Sequence, residues 1–395
     1  MTIFLFLIFF LLIYIKRYIY VYLGFKKFKT KYFQKDNKSD NKNNIFVILP
    51  ALSEQSIVEE TIDHFNNMHE SEGIIHYIIV TTQREEIDKK KNEMRLSDFI
   101  DKVYENPQKI YQLNNGLFPH YLFNKILELK QINTLEKFKI KINKLYSDYP
   151  TTNSKIKEYL NKIKLNFKFD IINYPGSTGN KSSQLNYALS YIKETYSDLF
   201  KHSIIGIYDF DSKPDVRTFG WINENYSVDS NIKVYQQIPL PILGLNKDKK
   251  FFENYLLIIF HLLHIRRSLG VELNMHSNNN YNNNFSMLKY CMGAGLFINA
   301  KTLDDINGYP EPIDDIPLGY RISLKKIETE FIPFFNLVYS TNRIKFLIGQ
   351  SRNIVHGLTF GLFKELRETD TNFSNSLKYM KSILSLIDSF LSTTL

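Results

Sequence analysis

The sequence predicts an α/β fold in which helices flank a sheet, and two patterns carry this prediction. Short apolar runs bounded by polar turn residues, as at 45–49 and 74–80, are typical of buried strands. Between these two runs lies a stretch with apolar residues at helical spacing. The order strand, helix, strand is typical of the beginning of a parallel sheet. The same kind of apolar run predicts further strands at 169–174, 204–208, 233–238 and 331–338.

The remaining segments are predicted to be helical. A helix is expected after each of the strands at 169–174 and 204–208, and an apolar helix at 251–269. Pro239 is expected to end the strand at 233–238, because proline cannot donate to a sheet ladder. Residues 84–166 are rich in Lys, Glu, Asn and Leu with helical spacing. They predict a helical insertion, which could act as a lid or as a partner-binding surface.

Length, cysteine content and charge limit the classes of protein. A chain of 395 residues can form one large domain or two ordinary ones. A single cysteine, Cys291, excludes an internal disulfide framework and a Cys-rich zinc site. Most of the formal charge of +9 lies in residues 16–44, which hold nine Lys and Arg against two Asp. Basic charge confined to one segment beside an apolar stretch favours a membrane surface over a nucleic acid.

The amino-terminal segment predicts a membrane anchor. Residues 3–15 are uninterrupted apolar side chains, and a second apolar stretch follows Lys16 and Arg17. Residues 3–25 are long enough to span a bilayer if the two cations lie at the interface. The alternative of a cleaved signal peptide lacks a charged n-region and a small-residue cleavage site. The positive charges after the anchor favour a cytoplasmic body, although a luminal one stays open.

These segments give three predicted regions. Residues 1–44 form the membrane anchor and a basic linker, of which 35–44 is polar with nothing to bury. Residues 45–357 form the main domain, with the helical insertion inside it. Residues 358–395 are amphipathic and form a helical tail.

Two carboxylates follow a buried strand. The apolar run at 204–208 ends in Asp209 and Asp211, and ligands of open α/β sheets bind beyond the carboxyl ends of strands. Two such oxygen donors can hold Mg²⁺ or Mn²⁺. The alternative is a solvated turn, since Asp, Ser and Pro are also turn residues. The loop at 175–181 contains two glycines and Lys181 and opens a helix, which suits an anion, but its spacing is not that of a Walker loop.

Taken in order, four stretches resemble the family 2 glycosyltransferases, which have the GT-A fold, a Rossmann-like mixed sheet flanked by helices. The stretches that carry the resemblance are 47–54 (VILPALSE), 179–189 (GNKSSQLNYAL), 208–214 (YDFDSKP), and 293–295 (GAG) followed by 314–319 (DDIPLG). The resemblance implies that Glu54 lies by the nucleobase or ribose of a nucleotide sugar and that Lys181 lies near the diphosphate. It also implies that Asp209 and Asp211 hold the diphosphate through a divalent metal.

The resemblance further implies a reaction and its partners. Asp315 matches the catalytic base of the family, with Asp314 in place of the usual glutamate. With one base and no dedicated nucleophile, the expected reaction is inverting transfer from a nucleotide sugar, with a UDP-sugar expected. The cofactor is Mg²⁺ or Mn²⁺, the acceptor is a glycan or lipid-linked hydroxyl, and no nucleic acid is expected.

Two further departures from the family pattern limit what the resemblance implies. Residues 350–354 (QSRNI) stand where processive members carry Gln-x-x-Arg-Trp, so non-processive transfer is expected. Thr81 and Thr82 stand where many members carry a uracil-binding aspartate, which leaves the nucleotide open. A non-catalytic scaffold on a degenerate transferase fold and a nucleotidyltransferase are the alternatives. The latter normally has a glycine-rich basic loop after its first strand, where this chain has residues 50–54.

Overall fold

A computed structural model gives the architecture of the chain. It describes residues 21–33, 43–68, 74–114, 116–119, 122–131, 134–242, 251–277, 288–339 and 356–368, and the single positions 15, 18, 19, 349, 352 and 354. The predicted anchor therefore lies mostly outside the described residues, as do Gln350, the Asn-rich stretch at 278–284 and most of the tail. No helix within the described ranges combines the length and the apolar character that crossing a membrane requires.

The described residues form a mixed eight-stranded sheet with helices on both faces, and an α/β sheet flanked by helices is what the sequence predicts. The strands are β1 (Asn44–Pro50), β2 (Ile74–Thr82), β3 (Lys168–Tyr174), β4 (Ser203–Ile207), β5 (Ser212–Pro214), β6 (Ile232–Ile242), β7 (Leu296–Asn299) and β8 (Glu328–Tyr339). Their order across the sheet is β3-β2-β1-β4-β7-β6-β8-β5. The first four of these run parallel, β7 is antiparallel to both neighbours, β6 and β8 are parallel, and β5 is antiparallel to β8.

Fifteen helices are labelled along the described parts of the chain. A helix α1 covers residues 21–32. The others are α2 (Val58–Asn66), α3 (Gln83–Glu105), α4 (Ile110–Leu113), α5 (Phe123–Gln131), α6 (Leu135–Asp148), α7 (Thr152–Leu160), α8 (Lys181–Thr195), α9 (Ser197–Phe200), α10 (Thr218–Asn225), α11 (Phe251–Arg267), α12 (Leu273–His276), α13 (Ala300–Asp305), α14 (Ile316–Leu324) and α15 (Leu362–Glu368).

The prediction that Pro239 ends a strand is wrong. β6 continues through Pro239 and Pro241 to Ile242. β7 pairs only with Val234–Gln236 of β6, so beyond that point β6 is paired on one side, by β8. Proline lacks an N–H and is tolerated where a strand has an open edge. β5, a three-residue strand that the sequence did not predict, pairs with the far end of β8.

Both faces of the central strands β1 and β4 are buried, which explains why residues 45–49 and 204–207 carry no polar side chain. In β1, Val47 and Leu49 pack against one cluster that includes Phe65 and Trp221. The alternate residues Phe46 and Ile48 pack against the opposite cluster, which contains residues of α8, α13 and α14. The two hydrophobic clusters therefore pack against opposite faces of β1 and fix its position.

The segment between β2 and β3 is helical and has a hydrophobic cluster of its own. Helices α3 to α6 enclose buried side chains that include Phe99, Phe123 and Phe138. The last helix of the segment, α7, instead buries Ile156 in the main core. The insertion is therefore fastened to the main domain at its carboxyl end.

The amino-terminal region differs from the predicted linker. The helix α1 packs on β8, because the ring of Phe28 stacks on those of Phe331 and Phe335 at 6.2 and 4.4 Å. The polar segment expected at 35–44 also ends earlier than predicted. Asn43 is buried, and its side-chain amide donates to the carbonyls of Asn223 and Tyr226 at 2.9 Å. Asn43, which lies in the predicted linker, is therefore part of the packed structure.

Candidate active site

The candidate site lies at the carboxyl ends of β1 and β4, which are parallel neighbours. The loop after β1 carries Glu54, and the turn after β4 carries Asp209 and Asp211. β4 ends at Ile207, so neither aspartate lies on the strand. The turn is closed by the Ser212 N–H, which donates to the Asp209 carbonyl at 2.9 Å. The position of both acids therefore comes from a turn beyond the strand, as is common for ligand-binding residues of α/β sheets.

Lys181 connects the loops around this site. It is the first residue of α8, whose preceding Asn180 caps the helix by accepting from the Ser183 N–H at 3.0 Å. The Lys181 ammonium forms an ion pair with Asp209 and lies 3.6 Å from Asp314 Oδ2. It also lies 3.4 Å from the Gly293 carbonyl oxygen. One side chain thus joins four chain segments that are distant in the sequence.

The acidic pair before α14 faces the same space. Asp315 caps α14, since its Oδ1 accepts from the Ile316 N–H at 2.7 Å. A Cβ atom built on Gly293 would lie 3.0 Å from Lys181 Nζ, 3.3 Å from Asp315 Oδ2 and 3.5 Å from Asp314 Oδ2. The absence of a side chain at Gly293 therefore leaves open the space that these three charged groups border.

Burial and mutual repulsion shift the pKa values of the site. Burial first, and then the charges of Asp211, Asp209 and Glu85, raise the pKa of Glu54 to about 7. Burial and then Asp209 raise the pKa of Asp211 to about 6. Burial opposes the charge on Lys181, but the surrounding aspartates outweigh it and raise the Lys181 pKa, so the ammonium persists.

The second acid of the pair before α14 is shifted in the same direction. Burial and then the neighbouring Asp314 raise the pKa of Asp315 to about 7, while Lys181 opposes the rise. A carboxylate with a pKa near the working pH can accept a proton and release it again. This is the property that a general base requires.

The donor set fits a divalent cation. Asp209 and Asp211 present carboxylate oxygens, which Mg²⁺ and Mn²⁺ prefer. Burial and repulsion between the acids raise the pKa values of Glu54 and Asp211, and a bound cation would offset that repulsion. Within the described ranges, no group of three or more His, Cys, Asp or Glu side chains is arranged to hold a metal ion. Asp209 and Asp211 are two carboxylates, so a ligand such as a phosphate would have to supply further oxygens to a metal held there.

Thr81 and Thr82, whose role the sequence left undecided, form hydrogen bonds within the protein. The Thr81 hydroxyl bonds to the Ile172 carbonyl and the Asn173 side chain at 3.3 and 3.2 Å. The Thr82 hydroxyl caps α3 by accepting from the Arg84 N–H at 3.1 Å. Both threonines thus bind protein groups at the end of β2.

A buried network that the sequence did not predict holds the Glu54 loop. The Glu54 N–H donates to Thr152 Oγ1 at 3.0 Å, and the Thr152 N–H donates to Glu85 Oε1 at 2.8 Å. Glu85 also accepts from the side chain of Gln55. Ser53, between these contacts, has a positive φ of 62°. Glu85 and Thr152 belong to the two ends of the insertion, and no sequence spacing indicates that they meet.

No family model matches this chain, and no curated protein matches it. Among solved structures, the chain is similar to "Mannosyltransferase PcManGT from Pyrobaculum calidifontis in complex with GDP-Man and Mn2+", with 10% identity over 97% of this chain and 84% of that one and a TM-score of 0.46. It is also similar to S. aureus TarS 1-349. For the TarS 1-349 structure in complex with UDP-GlcNAc, the sequence identity is 9% over 75% of this chain and 59% of that chain, with a TM-score of 0.35. For a second structure of TarS 1-349, the sequence identity is 10% over 89% of this chain and 81% of that chain, and the TM-score is again 0.35.

Proposed function

We propose that this chain is a metal-dependent, inverting glycosyltransferase that transfers a sugar from a nucleotide sugar to a hydroxyl group of a glycan or lipid-linked acceptor. The observation that carries the proposal is the convergence of Asp209, Asp314 and Gly293 on the Lys181 ammonium, with Asp315 at the same glycine. These residues come from segments far apart in the sequence. A structural ion pair alone would not need so many acids in one cleft.

The donor is proposed to bind through its diphosphate. Lys181 stands at the amino-terminal end of α8, where helix N–H groups and the ammonium both attract phosphate oxygens. Asp209 and Asp211 would hold Mg²⁺ or Mn²⁺, and the bound ion would stabilise the charge on the departing nucleoside diphosphate. Glu54 can accept hydrogen bonds from ribose hydroxyls at the other end of the donor. A UDP-sugar is the proposed donor.

Asp315 is proposed to act as the base. Its carboxylate takes the proton of the acceptor hydroxyl while the oxygen forms a bond to the anomeric carbon. The bond between that carbon and the phosphate oxygen breaks, and its electron pair leaves with the nucleoside diphosphate. A single displacement of this kind inverts the configuration at the anomeric carbon, so an α-linked donor gives a β-linked product.

We also propose where the protein lies in the cell. An amino-terminal anchor within residues 3–25, the last five of which lie in α1, would hold the enzyme at an anionic membrane surface with its body in the cytoplasm. The lack of the Gln-x-x-Arg-Trp sequence at 350–354 favours non-processive transfer.

Donor turnover by the purified full-length protein in detergent tests the proposal. UDP-glucose, UDP-GlcNAc and GDP-mannose are supplied with Mn²⁺, and release of the nucleoside diphosphate is followed. We expect Asp209→Asn and Asp315→Asn each to lower the rate by about 10²-fold or more. The matched control is Asp304→Asn, because Asp304 is a surface acid paired with Lys193. Wild-type rates in both site variants would refute the assignment.

A non-catalytic scaffold is the second candidate. The observation that favours it is the ion pair between Lys181 and Asp209, since it already engages one of the two proposed metal ligands. Calorimetry with UDP-sugars and Mn²⁺ separates the two candidates. Absence of binding would support the scaffold, whereas binding that is weakened by Asp209→Asn would support the transferase.

A further inference from the structure

A cavity of about 530 Å³ lies between α1 and the sheet. On the sheet side it is lined by Ile232, the first residue of β6, and by residues 329–331 at the start of β8. On the other side it is lined by one face of α1. The cavity is separate from the proposed active site and is not used by the proposed reaction.

The cavity combines an apolar floor with a basic rim. Leu23, Ile232 and Phe331 supply the apolar surface. Lys26 and Lys27 of α1 line the rim, together with the hydroxyl-bearing residues Thr30 and Ser277. An apolar surface beside ammonium and hydroxyl donors suits an amphipathic anion.

The contacts of the lysines keep positive charge at this rim. Lys27 Nζ donates to the Ser277 hydroxyl at 2.9 Å, a neutral partner that does not offset its charge. Partial burial lowers the pKa of Lys27, because burial disfavours the charged ammonium. A bound anion would favour the charged form again. Lys31, by contrast, pairs with Glu330 and lies 4.8 Å from the centre of the Trp221 ring. Lys31 therefore forms part of the wall, and Lys26 and Lys27 carry the charge available to a ligand.

The surroundings of the cavity indicate where such an anion would come from. On α1, Tyr22 and Phe25 are 66% and 56% exposed, and Lys26, Lys27 and Lys29 follow within one turn. Exposed aromatic residues beside lysines are typical of a helix at a bilayer interface. The sequence before α1 is the apolar stretch 3–15. The cavity thus opens beside the part of the chain that is best suited to contact lipid.

The cavity and the proposed active site lie at opposite ends of the strands. β4 and β6 are both antiparallel to β7, so they point the same way, and β8 is parallel to β6. The cavity lies at the amino ends of β6 and β8, whereas Asp209 follows the carboxyl end of β4. A molecule in the cavity therefore cannot be the sugar acceptor.

We propose that this cavity binds an anionic phospholipid, with its phosphate against Lys26 and Lys27 and the first part of an acyl chain on Leu23, Ile232 and Phe331. The bound lipid would fix the orientation of the domain on the membrane without occupying the active site. This inference rests on the membrane-associated part of the proposed function.

Thermal unfolding of the full-length protein in a non-ionic detergent tests the inference, since it needs no turnover. Dihexanoylphosphatidylglycerol is the anionic probe, and dihexanoylphosphatidylcholine and inorganic phosphate are compared at equal ionic strength. We expect the anionic lipid to raise the Tm by about 2–4 °C, as a ligand that binds only the folded state does. We expect Lys27→Gln to lose at least half of that rise.

The matched control is Lys29→Gln, which removes the same charge from the same helix at a position that does not line the cavity. It should keep the full rise in Tm. Equal losses in the two variants would show general surface attraction and overturn the inference. An equal rise with phosphatidylcholine, or with inorganic phosphate, would overturn the anionic lipid as the ligand. Donor turnover, measured separately, reports on the proposed function whichever way this test ends.

Discussion

The Lys181 ammonium pairs with the Asp209 carboxylate, joining the loop after β3 to the turn after β4. This pair supplies a cation at the amino-terminal end of α8 beside an excess of carboxylates. If the site binds a diphosphate, the same ammonium is the group that the phosphate oxygens would contact. The variant that removes it is therefore informative.

We expect Lys181→Met to weaken binding of a UDP-sugar in the presence of Mn²⁺ by about 10-fold or more, because hydrogen bonds to charged groups contribute about 1.5–3 kcal/mol. Calorimetry measures the dissociation constant. Lys193→Met is the matched control, since Lys193 lies on the same helix and pairs with Asp304 at the surface. Equal affinities of the two variants would count against a role for Lys181 in donor binding.

The pH dependence of turnover should follow the ionisation of the Asp315 carboxyl group. Its pKa of about 7 arises from burial and from Asp314, and a base must be ionised to accept a proton. We expect kcat/KM to rise with pH and to level off above about pH 7. Asp314→Asn removes a charge that raises this pKa and should move the rise to lower pH. A profile that Asp314→Asn leaves unchanged would exclude Asp315 as the titrating base.

The raised pKa of Asp315 also predicts that the Asp315→Asn variant is more stable than the wild type. Its folded-state pKa of about 7 lies above the value of about 3.9 for an unfolded chain. As pH rises between these values the unfolded state ionises first, so the free energy of unfolding falls and then stays low. Asn also caps helices well. We therefore expect Asp315→Asn to raise the free energy of unfolding by about 1–2 kcal/mol at pH 8 and not at pH 4.

Urea unfolding at the two pH values measures this difference. Asp305→Asn serves as the control, because Asp305 pairs with Lys301 at the surface and should change stability little at either pH. A loss of stability at pH 8 in Asp315→Asn would show that the folded state stabilises the ionised carboxylate, which would contradict the raised pKa of Asp315.

Two nearby glycines should respond differently to alanine. At Gly293 the added Cβ would meet the flexible end of Lys181 and the Asp315 carboxylate, so the fold can adjust while the site is disturbed. At Gly295, with a φ of +74°, the Cβ would lie 2.7 Å from the Gln237 Cβ. We expect Gly293→Ala to lower donor turnover with little change in Tm. Gly295→Ala should cost about 2–4 kcal/mol from backbone strain and overpacking.

Donor turnover and thermal unfolding of both variants check this contrast. Full turnover in Gly293→Ala would place the reacting groups away from Gly293. A wild-type Tm in Gly295→Ala would contradict the close packing of β6 against the loop before β7.

Thr152 is expected to position Glu54 from within the insertion. Its hydroxyl accepts the Glu54 N–H at 3.0 Å and lies 3.2 Å from Glu85 Oε1. Thr152→Val keeps the shape but removes these bonds, so we expect a loss of about 1–2 kcal/mol in stability and a donor dissociation constant about 5-fold higher. Thr134→Val is the control, because the Thr134 side chain makes no capping bond. A lower Tm with unchanged donor affinity would assign Thr152 a structural role only.

The central strands could be predicted because they are buried on both faces. Residues 45–49, 74–80 and 204–208 are apolar except for His76, and such runs indicate buried strands. The exceptions are local. β6 passes Pro239 because β7 pairs with only part of it, and α1 packs on β8 through Phe28. The course of β6 and the packing of α1 depend on which elements lie beside them in space, and a local sequence pattern does not contain that information.

The sequence by itself determined the order of most strands and helices and the kinds of side chain at the strand ends, because burial and periodicity act over a few residues. Only the tertiary structure decided that Lys181, Asp209, Asp314 and Gly293 meet, and that Glu85 and Thr152 hold the loop of Glu54. These contacts join segments separated by entire helices and strands. Their formation depends on the strand order of the sheet, which places the carboxyl ends of β1 and β4 side by side.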